Sequence, residues 1–272
     1  MTDIAYYVTY DLPVPYKKLK IYPSIVKDYM LFSVYAQCLT IDKNSIPDPK
    51  IIKMSYLQYL YHLTQTKPDK EPYLLWLDRL LGLCLKDDDS FDNIGDSIKR
   101  YQFNEKGKPV IVIGKEYYDA RDFEKIKSII AEQNLVELPD TNISKEVRDS
   151  LAQAEDYKNK MSGNTNPPSL EDYLVSISSV TGWTLDYIYG MTIRKFIKTI
   201  RRLDNFVHYQ IFLTASMSGF VEFKDKSFIK HWLTNLDTKN KFEDVSVDLT
   251  DMESKISFES AKAKEAQKYK KG

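Results

Sequence analysis

Ser169-Leu170-Glu171-Asp172-Tyr173-Leu174-Val175-Ser176-Ile177 opens the stretch that decides the fold. Ser169 is a helix N-cap residue, and the acid at Asp172 sits where a capping-box partner belongs, although such boxes favour Glu or Gln. Leu174, Ile177 and Val180 fall at three-residue steps and predict an inward face. Gly182 breaks that helix, and Thr184 caps the next, with Leu185 and Ile188 inward. Gly190 breaks the chain again, and Thr192 caps a long helix. Ile193, Phe196, Ile197, Ile200, Leu203, Phe206, Val207, Gln210, Ile211 and Thr214 recur at helical spacing along it, and Gly219 stops it. Val221-Glu222-Phe223 suggests a short strand, and Ser227 caps a last helix carrying Trp232 and Leu236. A second, helical domain is therefore expected over residues 169–236, entered from the linker Ser162-Gly163-Asn164-Thr165-Asn166-Pro167-Pro168.

Upstream, residues 1–161 read as a first helical domain holding one β-hairpin. The prolines of Leu12-Pro13-Val14-Pro15 suggest an extended lead-in over 1–23, with Leu19 to Pro23 as a short edge strand. From Ser24, the apolar stripe Ile25, Tyr29, Phe32, Ala36 and Leu39 predicts a helix. Asp48-Pro49 starts another, expected to continue through Leu63. Tyr73 to Leu85 is apolar on most sides and should be central to the first core. Arg100 to Phe103 and Val110 to Ile113 predict the hairpin near 100–113, followed by a helix capped at Asp119 or Asp122. That helix has the inward face Phe123, Ile126, Ile129 and Ile130. Ser144 to Met161 predicts a polar helix that lies on the surface or bridges two halves, and residues 237–272 lose periodicity and read as a flexible tail. The fold class is thus mainly α, in two helical domains.

Chemistry is sparse. His62, His208 and His231 lack the clustered spacing of a zinc site. Glycines are too scattered for a phosphate-binding loop, and no nucleophile elbow exists. Asp87-Asp88-Asp89 lacks the alternating ligands of a calcium loop and reads as solvated. Cys38 and Cys84 lie in apolar patterns and are expected as buried free thiols. No catalytic residue, metal ligand or cofactor site is assigned, and no enzyme is expected. Lys+Arg and Asp+Glu number 39 each, which argues against a general grip on nucleic acid. No run of about 18 apolar residues suggests a membrane span. The opening Met1-Thr2-Asp3-Ile4 lacks a secretory pattern, so the host cytoplasm is the expected compartment.

Two sets of residues are candidates for binding a partner. Trp183, Tyr187 and Tyr189 are aromatic anchors if exposed, while a core position for Trp183 stays open. Arg194, Lys198, Arg201 and Arg202 share one face of the long helix. They face solvent, phosphate or an acidic partner, with Asp204 or the Asp87 loop as internal alternatives.

Ser169 to Leu174, then Thr181-Gly182-Trp183-Thr184-Leu185-Asp186-Tyr187-Ile188, then Met191-Thr192-Ile193-Arg194-Lys195-Phe196, together resemble tail assembly chaperones and related baseplate assembly proteins of tailed phages. Leu19 to Pro23, Lys27-Asp28-Tyr29 and Phe32 add to the similarity, which covers about a third of the chain. The resemblance implies a helical, non-enzymatic protein that binds a tape-measure or baseplate protein and keeps its apolar helices soluble. The chain departs from small chaperones in its length and its 100–113 hairpin. A structural virion component, such as a baseplate or connector subunit, is the alternative, with a nucleic-acid-binding accessory protein behind it. A homo-oligomer is compatible with each.

Overall fold

The structure is a computed structural model that describes residues 4–43, 48–66, 72–85, 101–104, 107–139, 168–218 and 231–234. The Asp87 loop, the 144–161 helix, most of the 162–168 linker, Val221 to Phe223, the Ser227 cap, Leu236 and the 237–272 tail lie outside them. The described chain is mostly helical with small antiparallel β elements, as the patterning predicts. It divides into two compact units, residues 1–200 and 201–272.

The first unit opens differently from the expected extended lead-in. Ile4–Thr9 is a helix, α1, with Val8 buried. Asp11 then takes a left-handed φ of 56°, a conformation Asp tolerates better than most residues. β1 (Val14–Tyr16) pairs antiparallel with β2 (Leu19–Ile21), so the expected edge strand has a partner. The helix predicted from Ser24 is three shorter pieces: a 3₁₀ turn Val26–Asp28, α2 (Tyr29–Tyr35) and a 3₁₀ turn Ala36–Leu39.

The helix expected from Asp48 through Leu63 is also divided. The Asp48 carboxylate accepts from the Lys50 amide and caps α3 (Pro49–Lys53). Met54 is extended, and α4 (Tyr56–Thr66) begins afresh. The restart has a local cause. The Ser55 amide donates to Gln58 Oε1 at 2.9 Å, and the Gln58 amide donates to Ser55 Oγ at 3.2 Å. These reciprocal bonds are a capping box. α5 (Tyr73–Cys84) buries Leu77, Leu80 and Leu81, in line with its expected central place.

The hairpin forms between β3 (Tyr101–Phe103) and β4 (Pro109–Ile113). A third strand, β5 (Glu116–Tyr118), pairs with β4 through a turn in which Gly114 has φ 59°. α6 (Ala120–Asn134) follows, and both candidate caps act. Asp119 accepts from the Arg121 and Asp122 amides, and Asp122 accepts from the Asp119 amide. Phe123, Ile126, Ile129 and Ile130 are all buried, as their spacing predicts. They join Leu57, Leu60, Leu80, Tyr118 and Ile21 in the main core.

Asp122 also ties the β1–β2 turn to α6. Its carboxylate accepts from the Tyr16 hydroxyl at 2.8 Å and pairs with the Lys17 ammonium. Burial opposes its ionisation. The Lys17 and Tyr16 contacts and the Asp119 amide outweigh that and hold its pKa below the ordinary carboxylate value. Burial, then the bond to Asp122, pushes the Tyr16 phenol up to about 12. Cys38 and Cys84 are buried free thiols, and burial pushes the Cys38 thiol up.

α7 (Leu170–Thr181), α8 (Leu185–Tyr189) and the first turns of α9 (Ile193–Met217) belong to the first unit, which extends to Ile200. Backbone bonds fasten them there. The Val26 amide donates to the Met191 carbonyl at 2.8 Å, and the Ile193 amide to the Ser24 carbonyl at 2.9 Å. These frame an isolated antiparallel bridge between Ile25 and Thr192. Ser24 is held in turn by the Asn134 side chain, which accepts from its amide at 2.9 Å.

Candidate functional site

The Trp183 corner is set by its caps. Ser169 and Asp172 form both bonds of a capping box at the start of α7, so Asp serves where Glu or Gln is usual. The Ser169 hydroxyl and amide lower the Asp172 pKa. At the other end Gly182 has φ 72°, and its amide donates to the Ser178 carbonyl at 2.9 Å. Glycine suits that left-handed position because it has no Cβ.

Trp183 is then pinned on both sides of its backbone. Its amide donates to Thr181 Oγ1 at 3.2 Å, and its carbonyl accepts from the Ser178 hydroxyl at 2.8 Å. Thr184 accepts from the Tyr187 amide at 3.3 Å and caps α8. Ile188 is fully buried and seats this short helix. The other side chains of α8 remain outside.

Trp183 is 37% exposed and Tyr187 56%, so neither is a core residue. Their rings meet edge to face with centroids 5.3 Å apart. Tyr189 is 37% exposed on the same short helix. Two residues expected to face inward are exposed here as well, Val180 at 67% and Leu185 at 40%. The spacing that placed them inward was right for their neighbours Leu174, Ile177 and Ile188, which are buried. The one-turn α8 buries Ile188 alone, and Val180 stands in the last turn of α7, next to its Gly182 cap. The result is an apolar corner with a rigid backbone.

The basic face divides. The Arg194 guanidinium donates to the Glu132 carbonyl at 2.9 Å. Lys195 pairs with Asp11 at 3.1 Å, and the Thr192 hydroxyl donates to the same carboxylate at 2.8 Å. Asp11 is therefore an acid at this helix start, in addition to the Asp204 and Asp87-loop acids that the sequence suggests. Nothing in the local pattern around Asp11 signals it. Lys198 is partly buried, and Arg201 is exposed in the second unit. Arg202 donates to the carbonyls of Trp232 and Thr234, and Asp204 faces His208 at 3.5 Å.

The long helix is the largest departure from the patterning. Ile193 and Phe196 are its buried residues, while Phe206, Val207, Ile211 and Met217 are exposed. Phe206 touches Trp232, with ring centroids 5.5 Å apart. Among the described residues, no group of three or more His, Cys, Asp or Glu could hold a metal ion. No helix of the described residues is long and apolar enough to cross a membrane.

No curated protein and no solved structure matches the chain. Residues 158–237 match the family model of the YomV second domain. That segment contains the whole Trp183 corner, and its likeness is to a phage-associated family, YomV being encoded by a Bacillus phage.

Proposed function

We propose that this chain is a non-enzymatic assembly chaperone or adaptor of phage tails that binds helical segments of a tape-measure or baseplate protein. The observation that carries the reading is the half-exposed Trp183–Tyr187 pair on a corner whose backbone is fixed by caps. Aromatic residues dominate binding hot spots, and a pre-ordered backbone lowers the entropic cost of binding. Val180 and Leu185 widen the apolar surface around the pair. An amphipathic helix can lay its apolar face on such a surface. The phage-associated match over 158–237 and the resemblance of the Thr181-Gly182-Trp183-Thr184 turn to tail assembly proteins support the same reading. The protein would work in the host cell or remain in the virion.

The test is co-expression with the phage's own tape-measure protein, followed by co-purification. The wild-type chain is expected to hold that protein soluble, and the Trp183→Ala, Tyr187→Ala double variant to lose it. A tape-measure protein that stays soluble with the double variant contradicts the assigned surface. Mass spectrometry of purified virions separates a chaperone, absent from particles, from a structural subunit present in them.

A further inference from the structure

The Trp183 corner carries a charge as well as an apolar surface. Residues 169–193, which contain α7, α8 and their caps, hold no Lys, Arg or His. Lys and Arg are 39 of the chain's 272 residues, about one in seven. The charged side chains of this stretch are Glu171, Asp172 and Asp186, all carboxylates and all exposed.

Helix starts explain where these acids stand. Each lies in the first turn of α7 or α8, where a carboxylate complements the positive end of the dipole. Asp172 is further engaged by the Ser169 capping box. Helix starts do not explain why no cation meets the acids. Among the described residues, neither Glu171 nor Asp186 has an ion pair. The first cations beyond the stretch are held elsewhere: Arg194 donates to the Glu132 carbonyl, and Lys195 pairs with Asp11. On its packed side α8 touches the 3₁₀ turn Val26–Asp28, where the charges of Lys27 and Asp28 cancel.

The acids also border the apolar surface. Glu171 lies one helical turn before the exposed Val175 on α7, and Asp186 adjoins the exposed Tyr187 on α8. Such a surface selects its ligand by sign. Carboxylates at the rim of an apolar contact favour Lys and Arg on the partner and disfavour Asp and Glu. The Trp183 and Tyr187 rings act in the same direction, because an aromatic face attracts a cation. The stems of Lys and Arg add apolar cover of their own. The same sign turns away phosphate backbones and anionic lipid.

We propose that the helix taken by the Trp183 corner is cationic, with Lys or Arg bordering its apolar face. This rests on the reading of the corner as a helix-binding surface and specifies the chemistry of the partner. Two fluorescein-labelled model helices test it, with the same Leu-rich face bordered by Lys in one and by Glu in the other. Each is titrated with the full chain by fluorescence anisotropy at about 50 mM and about 300 mM salt. At low salt the Lys helix is expected to bind at least about tenfold more tightly than the Glu helix, and most of that margin should vanish at high salt. The Glu171→Lys, Asp186→Lys variant should reverse the preference with unchanged circular dichroism. Should those substitutions disturb the helix starts, Glu171→Gln, Asp186→Asn should remove most of the preference instead. Equal affinity for the two helices, lost in the Trp183→Ala, Tyr187→Ala variant, overturns the cationic partner and leaves the corner standing. A Lys preference that survives both charge variants overturns the inference, as does binding of neither helix, and co-purification of the tape-measure protein then decides the corner separately. Binding of the Lys helix that is unchanged in the aromatic variant overturns the inference and the corner together.

Discussion

α6 and the far half of α9 carry the same kind of amphipathic stripe and meet opposite fates. Phe123, Ile126, Ile129 and Ile130 on α6 are all buried, closed over by α1, α4, β2 and the strands β4 and β5. Val207, Ile211 and Met217 on α9 stand exposed. Periodicity shows that a helix has an apolar face. It does not show that the same chain supplies the cover. Where the cover is present, as on α6, the face stabilises the fold.

The contrast is sharpest in stability. Phe123→Ala removes a fully buried ring and should cost about 3–5 kcal/mol in urea unfolding. Ile211→Ala, on the exposed stripe, should change unfolding of the dilute chain by about 0.5 kcal/mol or less. Equal costs would break the comparison.

A smaller effect probes how the buried region is tied at its edge. Asp122 has a folded pKa lowered from its ordinary value of 3.8, so its contribution is present above that pH. It is lost as pH falls through the lowered folded value. Asp122→Asn should cost about 1–2 kcal/mol at neutral pH and flatten the loss of stability in acid. Tyr16 acts with the opposite sign. Its pKa is raised, so its contribution is complete below pH 10 and disappears as pH rises through about 12. Tyr16→Phe should remove that alkaline step.

The Trp183 corner combines an ordered backbone with exposed side chains. Gly182→Ala meets no neighbouring atom, but its φ of 72° strains any residue with a Cβ. It should cost about 1 kcal/mol and loosen the turn. A neutral result would mean that the turn does not fix the corner.

Much of this was legible in the residues. Ser169 with Asp172, Asp119 with Asp122, Gly182 and Thr184 are caps whose chemistry is local, and local chemistry can be read from neighbours in sequence. Ser55-x-x-Gln58 was equally legible, but the apolar periodicity on both sides of it reads as one helix. The six-residue helix α1 and the three-residue strand β5 are too short to declare themselves by periodicity. Asp11 was not legible either, since its carboxylate meets Thr192 and Lys195 only through the folded chain. The candidate aromatics were found in sequence. The exposure of Val180, at the end of α7, and of Leu185, on the one-turn α8, was not, because spacing cannot report how much of a helix its neighbours cover.

The central claim is that the Trp183–Tyr187 pair holds another protein's helix. The direct measurement is calorimetric titration of the purified chain with the tape-measure protein's helical segments, for wild type and for the Trp183→Ala, Tyr187→Ala double variant. We expect the double variant to bind at least about tenfold more weakly, a loss typical of hot-spot aromatics, with its unfolding midpoint nearly unchanged. Equal affinity in the two proteins, at equal stability, would contradict the account.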